Sequence, residues 1–327
     1  MKRALVTGAT GFIGANLVRT LLARGFRVRV LVRPLAERSA IEGLDVEYAR
    51  GDVLDPETLE AAMRACDVVF HTAAFVSFYV PDRAEMRRIN VTGTRNVLAA
   101  ARKAGVPRVV HTSSVAAIGA SYEPLQIANE LTPFNLGRRG FDYSITKHEA
   151  EEAVREAVAA GLDAVIVNPS SPFGVFDRMN IGRMIRGVVR GEIPVYVNGG
   201  NNYVDVEDVC LGQVLAYEKG RRGERYILGH ENLTHKETFE RVARIVGAQP
   251  PRFRVPYALA WAGGAAGNLA AAVTRTPPKL DFATARMSRY YFYFTHAKAE
   301  AELGYRPRSL DAAIARQYAW MKEKGLL

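Results

Sequence analysis

Cysteine and tryptophan are scarce in this chain of 327 residues, at two each. Cys66 and Cys210 cannot build a disulfide framework and lack metal-ligand spacing, so a reducing, cytoplasmic setting without a metal is expected. No long basic run occurs, although the net charge is +10 and the isoelectric point about 9.7. The Arg and Lys residues are scattered and no strand is studded with aromatics, which speaks against nucleic acid and for attraction to small anions. Met1 leads almost at once into the apolar run Ala4-Leu5-Val6, so no signal peptide is expected. Internal repeats, low-complexity tracts and disordered linkers are lacking as well. Charge is missing altogether from residues 255–274, a length able to cross a bilayer. That stretch is mostly Ala and Gly with Pro256 and Asn268, too weakly hydrophobic for insertion. It reads as a helix packed on protein, or a lid carrying Leu259, Trp261 and Leu269 over an apolar substrate. Peripheral membrane contact or a lipid-like substrate is the alternative.

What is present starts with 48% apolar residues, ample for one large or two ordinary domains. Apolar runs at 3–7, 27–32, 45–49, 67–71, 108–112 and 163–167 predict strands. Helical periodicity fills 12–24, 56–65, 84–104 and 143–160, with Gly25, Gly105 and Gly161 where helices stop. Such alternation predicts an α/β fold, a parallel sheet covered on both faces. Beyond about residue 170 Pro and Gly grow denser and helical pieces shorten; Leu310 to Met321 reads as a closing amphipathic helix.

Gly8, Gly11 and Gly14 follow the first strand and open the first helix, in Thr7-Gly8-Ala9-Thr10-Gly11-Phe12-Ile13-Gly14. That is the setting of a dinucleotide-binding loop: glycines permit a tight turn and close backbone approach, and the helix start offers N–H groups to a pyrophosphate. The second strand ends at Arg33 with no carboxylate to hold a ribose diol, so a 2′-phosphate, hence NADP, is favoured over NAD. Arg38 is a second candidate cation. Tyr143 and Lys147 lie four apart, one turn along a helix face, where the ammonium is expected to lower the phenol's pKa.

Together with His71-Thr72-Ala73-Ala74, Asn90-Val91-Thr92-Gly93-Thr94-Arg95-Asn96, Thr112-Ser113-Ser114 and Asn168-Pro169, these features resemble the extended short-chain dehydrogenases/reductases. Val30-Leu31-Val32-Arg33-Pro34, Arg225-Tyr226-Ile227-Leu228-Gly229 and Leu303-Gly304-Tyr305-Arg306-Pro307 are similar to the dihydroflavonol-reductase-like branch, especially the hopanoid-associated sugar epimerases. The resemblance implies a doubly wound parallel sheet, a Rossmann fold, over residues 1–170. It further implies a smaller, mostly helical substrate region over 171–327, with segments returning to the core. For the cofactor it implies Gly8, Thr10, Gly11, Phe12, Ile13 and Gly14 at the pyrophosphate, and Arg33, Asp52 and Val53 at the adenosine. Ala73, Ala74 and Thr112 would line the path to the nicotinamide, with Pro169 and Ser171 at its end. Asn90 would support the site through water or backbone. Ser114, Tyr143 and Lys147 would be the catalytic group, and Ser113 structural. A homodimer through helices of the cofactor domain is the family's habit.

Other chemistries fare worse. His111 stands beside two serines, but no Gly-x-Ser-x-Gly elbow surrounds them, so His111 and His71 read as strand residues. Val115 follows Ser114 where sugar-nucleotide dehydratases carry an acidic pair, which disfavours dehydration. The leading expectation is an NADP-dependent oxidoreductase interconverting a carbonyl and an alcohol. A nucleotide-sugar epimerase with tightly bound NAD(P) is the alternative, for which Arg183, Arg186 and Arg190 are candidate diphosphate ligands, though they fit an exposed helix face equally well. A cofactor-binding sensor or scaffold would have no use for a proton donor.

Overall fold

A computed structural model describes residues 1–77, 80–137, 140–274 and 282–327. The first half alternates as expected: strands β1 (Arg3–Thr7), β2 (Arg27–Val32), β3 (Glu47–Arg50), β4 (Val68–His71), β5 (Arg108–Thr112) and β6 (Ala164–Pro169). Helices α1 (Phe12–Ala23), α2 (Pro56–Met63), α3 (Arg83–Arg87), α4 (Gly93–Lys103) and α5 (Asp142–Ala159) run between them. Gly25, Gly105 and Gly161 take positive φ angles of 77°, 67° and 107°, where glycine turns the chain out of a helix at no steric cost. The expected helix over 84–104 is not continuous. A π-helical turn, Arg88–Thr92, separates α3 from α4. Such turns push one residue out of the regular ladder, and here Asn90 lies within it.

The second half holds β7 (Ser171–Phe173), β8 (Val195–Tyr196), β9 (Gly200–Asp205), β10 (Arg225–Leu228), β11 (Glu231–Thr234), β12 (Phe253–Arg254) and β13 (Tyr291–Phe292). Its helices are α6 (Ile181–Val189), α7 (Val206–Lys219), α8 (His235–Val246), α9 (Tyr257–Thr274), α10 (Phe282–Met287), α11 (Ala297–Leu303) and α12 (Leu310–Glu323). Beside these helices, β11, β9 and β13 form a small sheet with β7 also on β9, and β12 pairs with β8. These strands are short and carry mixed patterns, so tertiary pairing rather than periodicity creates them.

The main sheet is seven-stranded and parallel, in the order β10-β6-β5-β4-β1-β2-β3. The chain returns from beyond residue 170 to supply β10 at one edge. One face buries α1 and α7 with Leu17, Leu21, Val209 and Tyr226; the other buries Leu59, Val97, Leu98 and Val154. Burial on both faces is why β6 is buried at every position and shows no alternation. All these strands end at one edge, where β1 and β4 separate from each other in chain order. Ligands of doubly wound sheets bind at such a switch point.

The turn after β1 leaves no space. Gly8 has φ of 71°, and a Cβ there would stand 2.6 Å from the Ala73 nitrogen. A Cβ on Gly14 would meet the Gly8 carbonyl oxygen at 2.1 Å. Gly14→Ala gains about 1 kcal/mol of helix propensity, but overpacking costs about 1–3 kcal/mol. The variant should therefore be destabilised, by up to about 2 kcal/mol, in urea unfolding. An unchanged or higher midpoint would show that the loop yields freely.

Candidate active site

A cavity of about 710 Å³ opens at the carboxyl edge of the sheet. Its walls include Gly8, Thr10, Gly11, Phe12, Ile13, Gly14, Arg33, Asp52, Val53, Ala73, Ala74, Thr112, Ser114, Tyr143, Lys147, Pro169 and Ser171. Residues far apart in sequence thus converge because the parallel strands all end there. Helix α1 starts at Gly11 with no side-chain cap and no acidic residue in its first turn. Its N-terminal dipole is thereby left to a ligand, and the close Gly8–Gly14 approach gives a cradle that any side chain would fill.

Asn90 is the exception among the expected contacts. It is buried and does not line the cavity. Its Oδ1 accepts from the Phe75 N–H at 2.7 Å, and its Nδ2 donates to the Phe75 carbonyl at 2.9 Å and to Thr146 Oγ1 at 3.1 Å. It therefore clamps the loop after β4 to α5 through backbone, with the π turn setting its position. Thr112 meets the cavity through its main chain, since its hydroxyl donates to Gln213 and its carbonyl accepts from Lys147 Nζ at 2.8 Å.

Ser114 caps the 3-10 turn Val115–Ala117, accepting from the Ala116 N–H at 3.2 Å, and its side chain hydrogen-bonds Tyr143. The sign of the Tyr143 shift is opposite to the expectation. Removal from water pushes the phenol up to about 12, and Ser114 only partly offsets this. Lys147, whose ammonium is turned to the Thr112 carbonyl, is itself pulled down to about 8 by burial, while the Glu151 carboxylate holds it up.

Glu151 was not foreseen. Tyr143, Lys147 and Glu151 succeed one another at four-residue steps on one face of α5, the third fully buried. One Glu151 oxygen accepts from Ser113 Oγ at 2.7 Å and Asn168 Nδ2 at 2.6 Å; the other from Arg155 at 2.9 Å and Arg225 at 3.2 Å. Asn168 Nδ2 also donates to the Ser114 carbonyl at 2.9 Å. The four-residue spacing was the available signal, but nothing local announces the partners on β6 and β10. His71 and His111 are buried strand residues with rings 5.3 Å apart. Burial pulls His71 down to about 3 and lowers His111, so both are neutral and unsuited to a hydrolytic relay.

At the adenosine end Arg33 is exposed and forms no ion pair among the described residues. Arg38 lies over the Tyr48 ring instead, 5.3 Å from its centre. Glu85 and Arg88 also line this end and were missed, because they arrive from a later helix. They neutralise each other through Nε–Oε2 and Nη2–Oε1 bonds of 2.7 and 2.8 Å. At the other end lie Val76, Ala116, Pro172, Met287 and Phe292. Two polar wall residues there are engaged within the protein: Asp177 accepts four backbone N–H groups of residues 179–182, and Asn202 bonds His230, Asn232 and Phe294. Two open alternatives are decided. Arg183, Arg186 and Arg190 lie on α6 and its end, outside the cavity walls. Leu259 and Trp261 are exposed and do not line the cavity either, because α9 packs against α10 rather than over the opening. Asn268 and Leu269 are outside the residues whose side chains are described.

A doubly wound sheet with a glycine cradle at its switch point is the architecture of the dinucleotide-binding enzymes. Residues 4–229 match the NAD dependent epimerase/dehydratase family, and the chain belongs to it. A Synechocystis protein carrying the provisional name dihydroflavonol 4-reductase is 38% identical over 326 residues, covering 98% of this chain and 94% of that one. Sterol demethylase protein B of Methylococcus capsulatus is 36% identical over 335 residues, 99% of each. Among solved structures, a nucleoside-diphosphate-sugar epimerase from Pseudomonas aeruginosa superposes with a TM-score of 0.82 at 26% identity, covering 100% of this chain and 99% of that one.

The Glu151 cluster makes a measurable claim. Glu151→Gln removes the charge that holds Lys147 up, so Lys147 should lose its proton at lower pH. Breaking the buried ion pair should also cost about 3–5 kcal/mol in unfolding. Amine labelling followed by peptide mass spectrometry across pH reads the first effect. Superimposable Lys147 profiles would separate the two residues.

Proposed function

We propose that this chain is an NADP-dependent oxidoreductase that interconverts a carbonyl and an alcohol on a fairly apolar substrate, using Ser114, Tyr143 and Lys147. The observation that carries the reading is that Ser114, Tyr143 and Lys147 line the same cavity as the Gly8–Gly14 cradle. The dihydroflavonol-reductase name of one relative supports it. The cradle, with Thr10, Phe12 and Ile13, would hold the pyrophosphate; Arg33, Asp52 and Val53 the adenosine; Ala73, Ala74, Thr112, Pro169 and Ser171 the nicotinamide half. The bound nicotinamide supplies or takes up the hydride.

The chain's own part is orientation and the proton. Ser114 and Tyr143 receive the substrate oxygen between them. Tyr143, kept protonated by burial, gives its proton as charge grows on that oxygen. Lys147, charged below about 8, favours the phenolate left behind. Asn90 holds the Phe75 loop and α5 in register. Among the described residues Arg33 forms no ion pair, which suits a 2′-phosphate, and the nearby Glu85 carboxylate, which feels the Arg33 charge, is bonded to Arg88 instead.

The second reading is a nucleotide-sugar epimerase, favoured by the Pseudomonas neighbour. Among the described wall residues the cations are Arg33, Arg88 and Lys147. Arg88 is committed to Glu85 and Lys147 to Thr112, so no free cation faces the substrate end to hold a diphosphate. That weighs for the reductase.

Tyr143→Phe should bind cofactor normally yet lose about 10²–10⁴-fold in turnover. A screen of apolar ketones and aldehydes with NADPH supplies the assay; near-normal turnover would move the proton donor elsewhere. Carbonyl reduction should also weaken as pH rises through about 8, where Lys147 discharges.

Arg33→Asp should weaken NADP binding by more than about tenfold while sparing NAD, since a charge-assisted contact contributes about 1.5–3 kcal/mol. Equal losses for both cofactors in titration calorimetry would remove the NADP assignment.

A further inference from the structure

Helix α9 presents to solvent a face that an ordinary surface helix would fill with charge. Ala258, Leu259, Ala262, Gly263 and Ala266 are exposed at helical spacing, whereas Gly264 is buried. Leu259 is 64% exposed and Trp261 44%, and Phe253, just ahead of the helix, 68%. The lack of charge extends to its sign: from residue 241 to 280 the sequence has six Arg and Lys residues and no Asp or Glu. Arg241 and Arg244 are held by Glu231 and Asp311. Arg252 and Arg254, beside Phe253, are exposed and make no ion pair among the described residues.

We infer that this face, with Phe253, Arg252 and Arg254, docks the protein peripherally on an anionic lipid membrane. Apolar and aromatic side chains at the start of an uncharged helix suit the boundary between headgroups and acyl chains. The flanking arginines suit the negative surface potential, and neither makes an ion pair among the described residues. No helix of the described residues is long and apolar enough to cross a membrane, so the contact lies on the surface. A second copy is a poorer occupant. A two-fold contact through this face would bring the same arginines together without a counter-charge. The docking stands apart from the proposed chemistry, because none of these residues lines the cavity.

The test is co-sedimentation of the full chain with vesicles of phosphatidylcholine containing about one-third phosphatidylglycerol, and with phosphatidylcholine alone. Binding should appear only with the anionic vesicles and fall roughly tenfold or more at about 0.5 M salt. Leu259→Glu and Trp261→Glu should each lower it roughly tenfold while leaving cofactor affinity unchanged, which shows that the fold is intact. Failure to sediment with anionic vesicles would overturn the inference, as would sedimentation that neither variant reduces. A dimer in light scattering that Leu259→Glu dissociates would assign the face to a second copy instead.

Discussion

A carboxylate with no access to water, Glu151, is the point on which the candidate site depends. Its charge has to be met inside the protein, and the groups that meet it come from different elements: Ser113 after β5, Asn168 on β6, Arg225 on β10 and Arg155 on α5. Satisfying one buried charge therefore fixes how α5 lies against three neighbouring strands. Tyr143 and Lys147 share that face of α5, so their position is fixed with it. Asn168 completes the link by holding the Ser114 carbonyl. The hydroxyl pair at the cavity is thus braced from behind by a network that reaches the cavity wall through Ser113.

The opposite wall is set by steric closeness rather than charge. Gly8 and Gly14 bring a helix start against the β1 turn, and Gly8 brings that turn against Ala73. Asn90 performs the corresponding task with hydrogen bonds, matching both backbone groups of Phe75. Asp177 and Asn202 are consumed in the same internal fashion, beside the apolar Val76, Pro172, Met287 and Phe292. Polarity is concentrated where a nucleotide would lie and in the one hydroxyl pair beyond it.

The exposed face of α9 follows a different rule. Many arginines elsewhere find carboxylates, as Arg308 does with Asp205, Glu207 and Asp208. Around α9 acidic residues are missing from the sequence for forty positions, so this region stands out in both charge and polarity.

The parallel sheet, the glycine cradle, Arg33, Ser114 and the Tyr143–Lys147 spacing were legible in the sequence. Each is written in local order: apolar runs, helical period, glycine spacing, residues four apart. The break at Arg88–Thr92 was not legible, because a π turn conserves the apolar pattern of the helix around it. Nor were the small strands of the second half, Glu85 and Arg88 at the adenosine end, or the partners of Glu151, which lie up to 74 residues away. The Tyr143 phenol shows the division most plainly. Sequence places a cation one turn from it and so implies a lowered pKa. Only the tertiary structure shows the phenol enclosed and the ammonium turned to Thr112, so desolvation raises the phenol and Ser114 alone partly offsets it. Covalent neighbours determine which groups are present and on which face. Burial, which belongs to the whole fold, decides how strongly each charge is felt.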